Sequence, residues 1–190
     1  MDLTLGLMRV EDRGQAEITA AQNEEWHRLA RAVHPPGEAR VGSDLRWADL
    51  DPSVDRFIGL WDEDELLACA WTTERTILIG GREARVGGVR GVMTHPDHRR
   101  RGYGTAVMER AREIVRSRDV ELALLFSSVM AVPFYEKLGW RKVAGPVFCD
   151  QPDGRIDYTA RLPQAPVMAL VLRSGLELPR GPIDVRGLPW

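Results

Sequence analysis

A basic, glycine-containing stretch lies between a strand-like segment and a helix-like segment of this chain. It consists of Arg99, Arg100, Arg101, Gly102, Tyr103, Gly104 and Thr105. The first turn of a helix has N–H groups without intrahelical partners and carries partial positive charge. Because Gly102 and Gly104 lack a Cβ, an anion can approach the main chain closely and the turn can adopt positive φ. The stretch therefore predicts a phosphate-binding loop at a helix N-terminus.

Two other glycine-rich phosphate motifs do not fit this stretch. A dinucleotide fingerprint needs Gly-x-Gly-x-x-Gly and an acidic residue about 20 residues further on. A P-loop needs Gly-Lys-Ser/Thr, and that tripeptide does not occur in the sequence. A basic turn that only caps a surface helix remains an alternative at this point.

The composition is that of a globular protein. The 190 residues suit one domain over 1–190, with 44% hydrophobic and 28% charged residues. A net charge of −2 argues against a nucleic-acid partner. With neither a membrane-length apolar run nor a leader-like start, we expect a cytoplasmic protein without a membrane partner. Cys69 and Cys149 show no metal or redox spacing, so we expect reduced thiols and no metal.

Periodicity predicts an α+β protein with a central mixed, mostly antiparallel sheet flanked by helices. Strands are expected at 3–10, 54–61, 66–79, 82–94, 120–126, 140–148 and 167–172. Helices are expected at 18–33, 103–118 and 131–138, with a short one near 45–50. Segments 38–53 and 151–166 are read as loops and 176–190 as a broken tail. The strand at 167–172 offers an edge for pairing in a homodimer.

The Arg-x-x-Gly-x-Gly spacing on Arg99, Gly102 and Gly104 resembles the acyl-CoA pyrophosphate loop of the GNAT superfamily of N-acetyltransferases. A later segment, 134–140, also resembles that superfamily. The resemblance implies that Tyr135 protonates the departing CoA thiolate. Thiolate is a poor leaving group unless it is protonated or stabilised, and a phenol can supply the proton. The alternative is that Tyr135 is a core aromatic bordering the cofactor.

The same resemblance places the pantetheine arm of acetyl-CoA beside the strand that precedes the loop. Val92 and Thr94 are the expected main-chain contacts, and the N–H of Val92 or Met93 is the expected donor to the thioester oxygen. Ser127 and Ser128 follow the next strand. They either bond the arm from the other side or cap the strand end.

Over most of its length the chain resembles the aminoglycoside 2'-N-acetyltransferases. The similar stretches include 66–101, 145–146, and a tail with Asp184-Val185-Arg186 before Trp190. The resemblance implies that the tail folds back to the acceptor site, where the Trp190 carboxylate and Asp184 help to hold a polycationic sugar. The alternative is a tail that packs the Trp190 indole on the core.

One position departs from that family. Arg90 stands where the family has a glutamate that draws the proton from the acceptor amine, and arginine cannot accept a proton. Glu74, Glu38, Asp44 or Asp49 could replace that base. Arg90 could instead bind an anionic group of the acceptor, which would then be a carboxylated or phosphorylated amine.

The predicted function is therefore acetyl-CoA-dependent transfer of an acetyl group to a primary amine of a small molecule, with no metal. Two alternatives remain open. One is a non-catalytic acyl-CoA-binding or sensory module, and the other is a longer-chain acyltransferase acting on an amino sugar.

Overall fold

Strands and helices account for most of the residues described by the computed structural model, which are 8–37 and 42–190. The strands are β1 (Met8–Gly14), β2 (Arg56–Asp62), β3 (Glu65–Ile79), β4 (Arg82–Thr94), β5 (Leu122–Phe126), β6 (Arg141–Lys142), β7 (Val147–Gln151), β8 (Gly154–Asp157), β9 (Val167–Val171) and β10 (Ile183–Asp184). The helices are α1 (Ala20–Val33), α2 (Tyr103–Ser117), α3 (Val132–Lys137) and α4 (Tyr158–Arg161). The predicted α+β class with a mixed sheet is confirmed.

The chain divides into two compact units. The described part of the first comprises 8–37, 51–72 and 91–114. In it β1 pairs antiparallel with β2, and β2 pairs antiparallel with β3. The predicted strand at 3–10 is present from Met8, and its residues 3–7 lie outside the described residues. Helix α1 begins after Thr19, whose side chain accepts a hydrogen bond from the Gln22 N–H.

A partly buried carboxylate ties the strands of this first unit to helix α2. Asp12 on β1 accepts from the Arg56 guanidinium on β2 at 2.6 Å and from the Arg110 guanidinium on α2 at 2.6 Å. Burial alone would raise the pKa of Asp12, but the hydrogen bonds from Arg110 and Arg56 outweigh it and lower the pKa. These charge-assisted bonds hold the helix that follows the predicted phosphate loop.

The second unit comprises, among the described residues, 42–50, 73–90 and 115–190. In it β4 runs parallel to β5, with 86–89 opposite 122–125, and β10 runs parallel to β7. Its other strand pairs are antiparallel: β5 with β9, β9 with β6, β7 with β8, and β10 with β3. A Cβ on Gly87 would lie 2.0 Å from the Val115 side chain, so this glycine permits close packing against the end of α2.

The predicted short helix near 45–50 is wrong. The chain turns at 42–44 and then runs without helical hydrogen bonds. The Ala48 N–H donates to the Pro189 carbonyl at 2.7 Å, and the Gln151 side chain bonds both the N–H and the carbonyl of Arg46. Because distant segments satisfy these main-chain groups, the helical pattern of the short apolar run is overridden.

Two further element predictions are corrected. The strand expected at 140–148 is two strands, β6 and β7, because the chain leaves the sheet at Gly145-Pro146, where Gly145 packs against the Gly181 carbonyl. The loop expected at 151–166 contains β8 and α4. Helix α4 forms because the Asp157 carboxylate accepts from the Ala160 N–H and caps it. The broken tail also contributes β10.

The strand predicted at 167–172 is confirmed as β9. It pairs with β5 along its length and with β6 at Met168 and Ala169, so these two residues have strand neighbours on both sides. Pairing of this strand in a homodimer stays a prediction. None of the described helices is long and apolar enough to span a membrane.

Removing the Asp12 charge should destabilise the first unit. We expect Asp12→Asn to lower the free energy of unfolding by about 2 kcal/mol at pH 7. The reason is that the charge-assisted hydrogen bonds from the Arg56 and Arg110 guanidinium groups to this partly buried carboxylate are lost. Urea denaturation measures the change. Asp119→Asn is the control, since Asp119 forms an ion pair with Arg173 while its side chain is 84% exposed.

The difference between Asp12→Asn and wild type should also depend on pH. A lowered pKa means that the contribution of Asp12 is complete above its unfolded value, near 3.9, and is lost as the pH falls through the folded value. The two unfolding curves should therefore converge in strong acid. Equal stabilities at pH 7 would contradict the bridging role of Asp12.

Candidate active site

The predicted phosphate loop has an alternating left-handed backbone. Arg100 has φ 64° and Gly102 has φ 87°, and α2 begins at the next residue, Tyr103. Such alternation turns successive N–H groups toward one side and makes an anion-binding concavity. Gly104 lies in the first turn of α2 and needs no positive φ. The predicted positive φ is thus present at Gly102. Arg100 also has a positive φ, which the sequence did not suggest.

The side chains of Arg99, Arg100 and Arg101 are exposed around this concavity. Among the described residues, no ion pair engages any of the three guanidinium groups. The N–H groups in the first turn of α2 follow directly in the chain. In any α-helix the N–H groups of the first turn have no acceptor within the helix. Three arginines beside unpaired amides form a local site for a multiply charged anion.

A stack of rings holds the start of α2. His95 contacts His98 with ring centroids 5.4 Å apart, and His98 stacks on Tyr103 at 6.3 Å with an interplanar angle of 25°. Pro96 opens a short turn between β4 and the loop. The Tyr103 ring therefore packs back on the turn, while its N–H belongs to the anion-facing end of the helix.

Strand β4 is irregular at Gly91, which has φ 58° inside the strand. The Cys69 thiol on β3 donates to the Gly91 carbonyl at 3.6 Å. Further along, the His95 N–H donates to the Leu67 carbonyl on the same strand. A glycine in the left-handed region followed by resumed pairing is a β-bulge.

The N–H and the C=O of Val92 both point away from β3. In a trans peptide the C=O and the next N–H point in opposite directions, and the described chain has no cis peptide bond. Because the Gly91 carbonyl accepts from Cys69 on β3, the Val92 N–H points away from β3. The His95 N–H bonds the Leu67 carbonyl, and N–H groups two residues apart in a strand point to the same side, so the Met93 N–H faces β3 and the Val92 carbonyl points away. Of the two predicted thioester donors, only Val92 has its N–H directed away from β3.

Thr94 follows the same pattern. Since the His95 N–H bonds the Leu67 carbonyl on β3, the Thr94 carbonyl of the same peptide points away from β3. Val92 and Thr94 therefore present main-chain groups on one edge of β4, as expected of residues that bond an added strand-like arm.

Ser127 and Ser128 follow β5 in the second unit. The Ser127 N–H donates to the Pro166 carbonyl, and its buried hydroxyl donates to the Ser128 carbonyl at 2.9 Å. Ser128 is exposed, begins the short turn 129–131 and makes no side-chain cap. Ser127 thus has the local capping interaction that was one of its two predicted roles.

Tyr135 is buried on α3. Its ring lies at the edge of Phe134 and Trp140, with centroids 5.1 and 6.3 Å away. Burial raises the pKa of its phenol to about 12. The phenol is therefore protonated at neutral pH and has a proton to donate.

Arg90 binds main-chain oxygens of the segment that precedes β2. Its guanidinium donates to the Ala48 carbonyl at 2.7 Å and to the Asp49 carbonyl at 3.4 Å. The neighbours of its guanidinium thus include two main-chain carbonyls of this segment. The sequence could not show that Arg90 fixes the chain at residues 48–49.

The acidic acceptor-site candidates carry arginine partners. Glu74 pairs with Arg85, Asp44 with Arg161 at 2.7 Å, and Asp184 with Arg155 at 3.0 Å. The hydrogen bond from Arg161 lowers the pKa of Asp44. Each of these three carboxylates is thus engaged by a neighbouring guanidinium group. The further candidate Glu38 lies outside the described residues.

The Trp190 indole is buried in the core of the second unit, as the alternative interpretation of the tail expected. It contacts Phe126 at 5.5 Å and lies under the Arg75 guanidinium at 5.2 Å. Arg75 also donates to the Leu188 carbonyl at 2.8 Å. A Cβ on Gly88 would overlap the indole, so glycine at that position makes room for Trp190.

Sequence reasoning missed Cys69 as a neighbour of the donor strand. One signal was available, because a glycine inside a β-branched strand marks a bulge or a close approach of the backbone. Gly91 is that glycine. A residue on the partner strand then has to satisfy the carbonyl that the bulge displaces, and Cys69 does so.

Comparison with known proteins identifies the family. The family model described as an acetyltransferase (GNAT) domain matches residues 16–143, which include the loop, the bulged strand and Tyr135. The chain belongs to the GNAT acetyltransferases. This confirms the predicted superfamily.

Curated relatives of this GNAT domain are named as N-acetyltransferases. An uncharacterized N-acetyltransferase of Streptomyces coelicolor is 39% identical over 46% of this chain, and one of Streptomyces avermitilis is 31% identical over 65%. The matches span 22% and 31% of those two proteins. A glucosamine 6-phosphate N-acetyltransferase of Trypanosoma brucei brucei is 42% identical over 33% of this chain and 41% of its own length.

Solved structures share the fold. The GNAT protein YhbS of Escherichia coli, in complex with CoA, has a TM-score of 0.61 at 11% identity, covering 94% of this chain and 89% of its own. Escherichia coli ElaA has a TM-score of 0.60 at 19% identity, covering 86% and 99%. At these identities the likeness concerns the fold alone.

Replacing Gly102 should weaken acetyl-CoA binding. A Cβ at φ 87° is strained, and relaxation of the loop would redirect its N–H groups. We expect Gly102→Ala to raise the dissociation constant of acetyl-CoA about tenfold, as measured by calorimetry.

Gly175→Ala is the matched control. Gly175 has φ 79°, and, like Gly102, a Cβ there would meet no atom within 4 Å. The control should bear a similar backbone strain and keep the acetyl-CoA affinity. An unchanged affinity in Gly102→Ala would contradict the loop's assigned role.

Proposed function

We propose that this protein transfers the acetyl group of acetyl-CoA to the primary amine of an amino sugar. The observation that carries the donor half is the path of the main chain from β4 into α2. It places the outward groups of Val92 and Thr94, the left-handed residues Arg100 and Gly102, and the first turn of α2 in one continuous run.

This run supports an assignment for each part of acetyl-CoA. The diphosphate binds the N–H groups of 100–105 and the neighbouring arginines, where both the helix dipole and the side chains favour negative charge. The pantetheine arm bonds the outward main-chain groups of Val92 and Thr94. The Val92 N–H donates to the thioester oxygen, where negative charge grows as the amine attacks.

The reaction then follows from ordinary acyl transfer. A neutral amine attacks the thioester carbon, the C–N bond forms, and the C–S bond breaks. The leaving CoA sulfur takes the Tyr135 phenolic proton. The attacking nitrogen loses a proton to solvent or to a carboxylate of the chain. Tyr135 regains its proton from water, and no metal is required.

Two lines of support indicate an amino-sugar acceptor. The sequence resembles aminoglycoside 2'-N-acetyltransferases, and one relative is named for glucosamine 6-phosphate. Both acceptors are amines on a sugar ring. Arg90, in place of an acidic residue, favours the phosphorylated sugar over a polycation, because like charges repel. An acceptor site lined by exposed carboxylates would instead favour a polycationic aminoglycoside.

The test combines an acceptor panel with Tyr135. Wild-type protein is incubated with acetyl-CoA and with kanamycin A, glucosamine 6-phosphate or benzylamine, and N-acetylated products are identified by mass spectrometry. We expect the amino sugars to react and glucosamine 6-phosphate to be preferred. A clear preference for kanamycin A would overturn the argument from Arg90, and acetyl-CoA binding without any product would indicate a non-catalytic module.

With the best acceptor, Tyr135→Phe should lower kcat about 100-fold and leave acetyl-CoA affinity nearly intact. Because the pKa of Tyr135 is raised to about 12, wild-type kcat should show no alkaline decline from this group below pH 10. Tyr158→Phe is the control, since Tyr158 is 1% exposed and lies in the core. Full turnover in Tyr135→Phe would refute the role of the phenol.

A further inference from the structure

We infer that Cys69 is a positioning residue for acyl transfer, acting through the peptide groups of Val92. This inference rests on the proposed function, since it concerns the donor to the thioester oxygen. Cys69 is fully buried on β3, and its thiol bridges the bulge in β4. It donates to the Gly91 carbonyl, which belongs to the peptide group that carries the Val92 N–H.

The bulge creates the need for this bridge. A left-handed residue interrupts the ladder, so its carbonyl loses the partner that a regular strand would provide. A strand carbonyl that lacks a hydrogen-bond partner lowers the free energy of unfolding. A peptide group that is free to rotate would therefore turn its carbonyl toward any available donor. The Cys69 thiol satisfies the Gly91 carbonyl and thereby sets the plane of the 91–92 peptide.

The consequence reaches the Val92 N–H because a peptide plane moves as one unit. Fixing the Gly91 carbonyl toward β3 fixes the Val92 N–H away from it. The bond from the His95 N–H to the Leu67 carbonyl keeps the end of β4 paired with β3. Cys69 thus orients the Val92 N–H without meeting the substrate.

Cysteine is suited to this position by size and chemistry. A Cβ on Gly91 would lie 3.2 Å from the Trp71 ring, and Cys69 itself is fully buried, so a small side chain suits the site. The thiol donates weakly, and its pKa is raised by burial, so it stays protonated as a donor. Alanine at this position would remove the bond to the Gly91 carbonyl.

The experiment compares Cys69→Ala with Cys69→Ser and with Cys149→Ala. Cys149 is the other buried cysteine, also 0% exposed, and lies on β7 in the second unit. We expect Cys69→Ala to lower kcat about tenfold while the KM for acetyl-CoA and the affinity for CoA change little, because a misaligned oxyanion donor affects the transition state. Cys69→Ser should recover most of the loss, since a hydroxyl can donate to the same Gly91 carbonyl.

A spectroscopic readout separates this inference from the proposed function. In ¹⁵N-labelled protein, the Val92 amide proton should shift downfield in the acetyl-CoA complex relative to the CoA complex, because only acetyl-CoA supplies the carbonyl acceptor. The difference should vanish in Cys69→Ala and persist in Cys149→Ala. This comparison needs no acceptor amine, so it tests Cys69 even if wild type acetylates nothing.

Retention of both kcat and the amide shift difference in Cys69→Ala would overturn the inference, as would equal loss of kcat in Cys69→Ala and Cys149→Ala. If Cys69→Ala does not fold, Cys69→Val takes its place, because valine fills the site but can neither donate nor accept. Valine should then behave as alanine is expected to, and serine as wild type.

Discussion

The constraint on which the donor site depends is the rigid planarity of the peptide group along the path from β4 to α2. A strand can offer hydrogen-bonding groups to a ligand only on an edge that its neighbour leaves open. The bulge at Gly91 and the thiol of Cys69 set that edge for Val92. The left-handed residues Arg100 and Gly102 then turn the chain so that it enters a helix by its positive end.

Contacts within the first unit hold the start of α2 in position. Asp12 binds guanidinium groups from β2 and α2 and fixes the helix against the strands. The stacked rings of His98 and Tyr103 hold the first residue of that helix. A phosphate-binding turn made only of main-chain groups has no side chains to correct its position, so its precision must come from such anchors.

Two arginines of the second unit hold main-chain segments in place. Arg90 binds the Ala48 carbonyl, and Arg75 binds the Leu188 carbonyl while covering Trp190. The Ala48 N–H also bonds the Pro189 carbonyl, so the two segments are joined. An arginine that replaces a presumed catalytic acid thus has a clear architectural task, which the substitution alone did not reveal.

The sequence was a good guide where one local rule governs. The loop followed by α2 was predicted from glycines and helical spacing, and the Gly80-Gly81 hairpin adopts the positive φ that two-residue turns require. It failed at 45–50 and at 151–166, where partners distant in sequence decide the conformation. Tyr135 could be located, but the orientation of Val92 depends on Cys69, a residue in another strand that no spacing rule connects to it.

The most direct measurement of the central claim is a calorimetric comparison of CoA with pantetheine, which carries the arm but no phosphate. Loss of two charge-assisted hydrogen bonds of about 1.5 kcal/mol each corresponds to about a 100-fold loss of affinity. The account predicts at least that difference, diminishing as salt concentration rises. Equal affinities for CoA and pantetheine would contradict it.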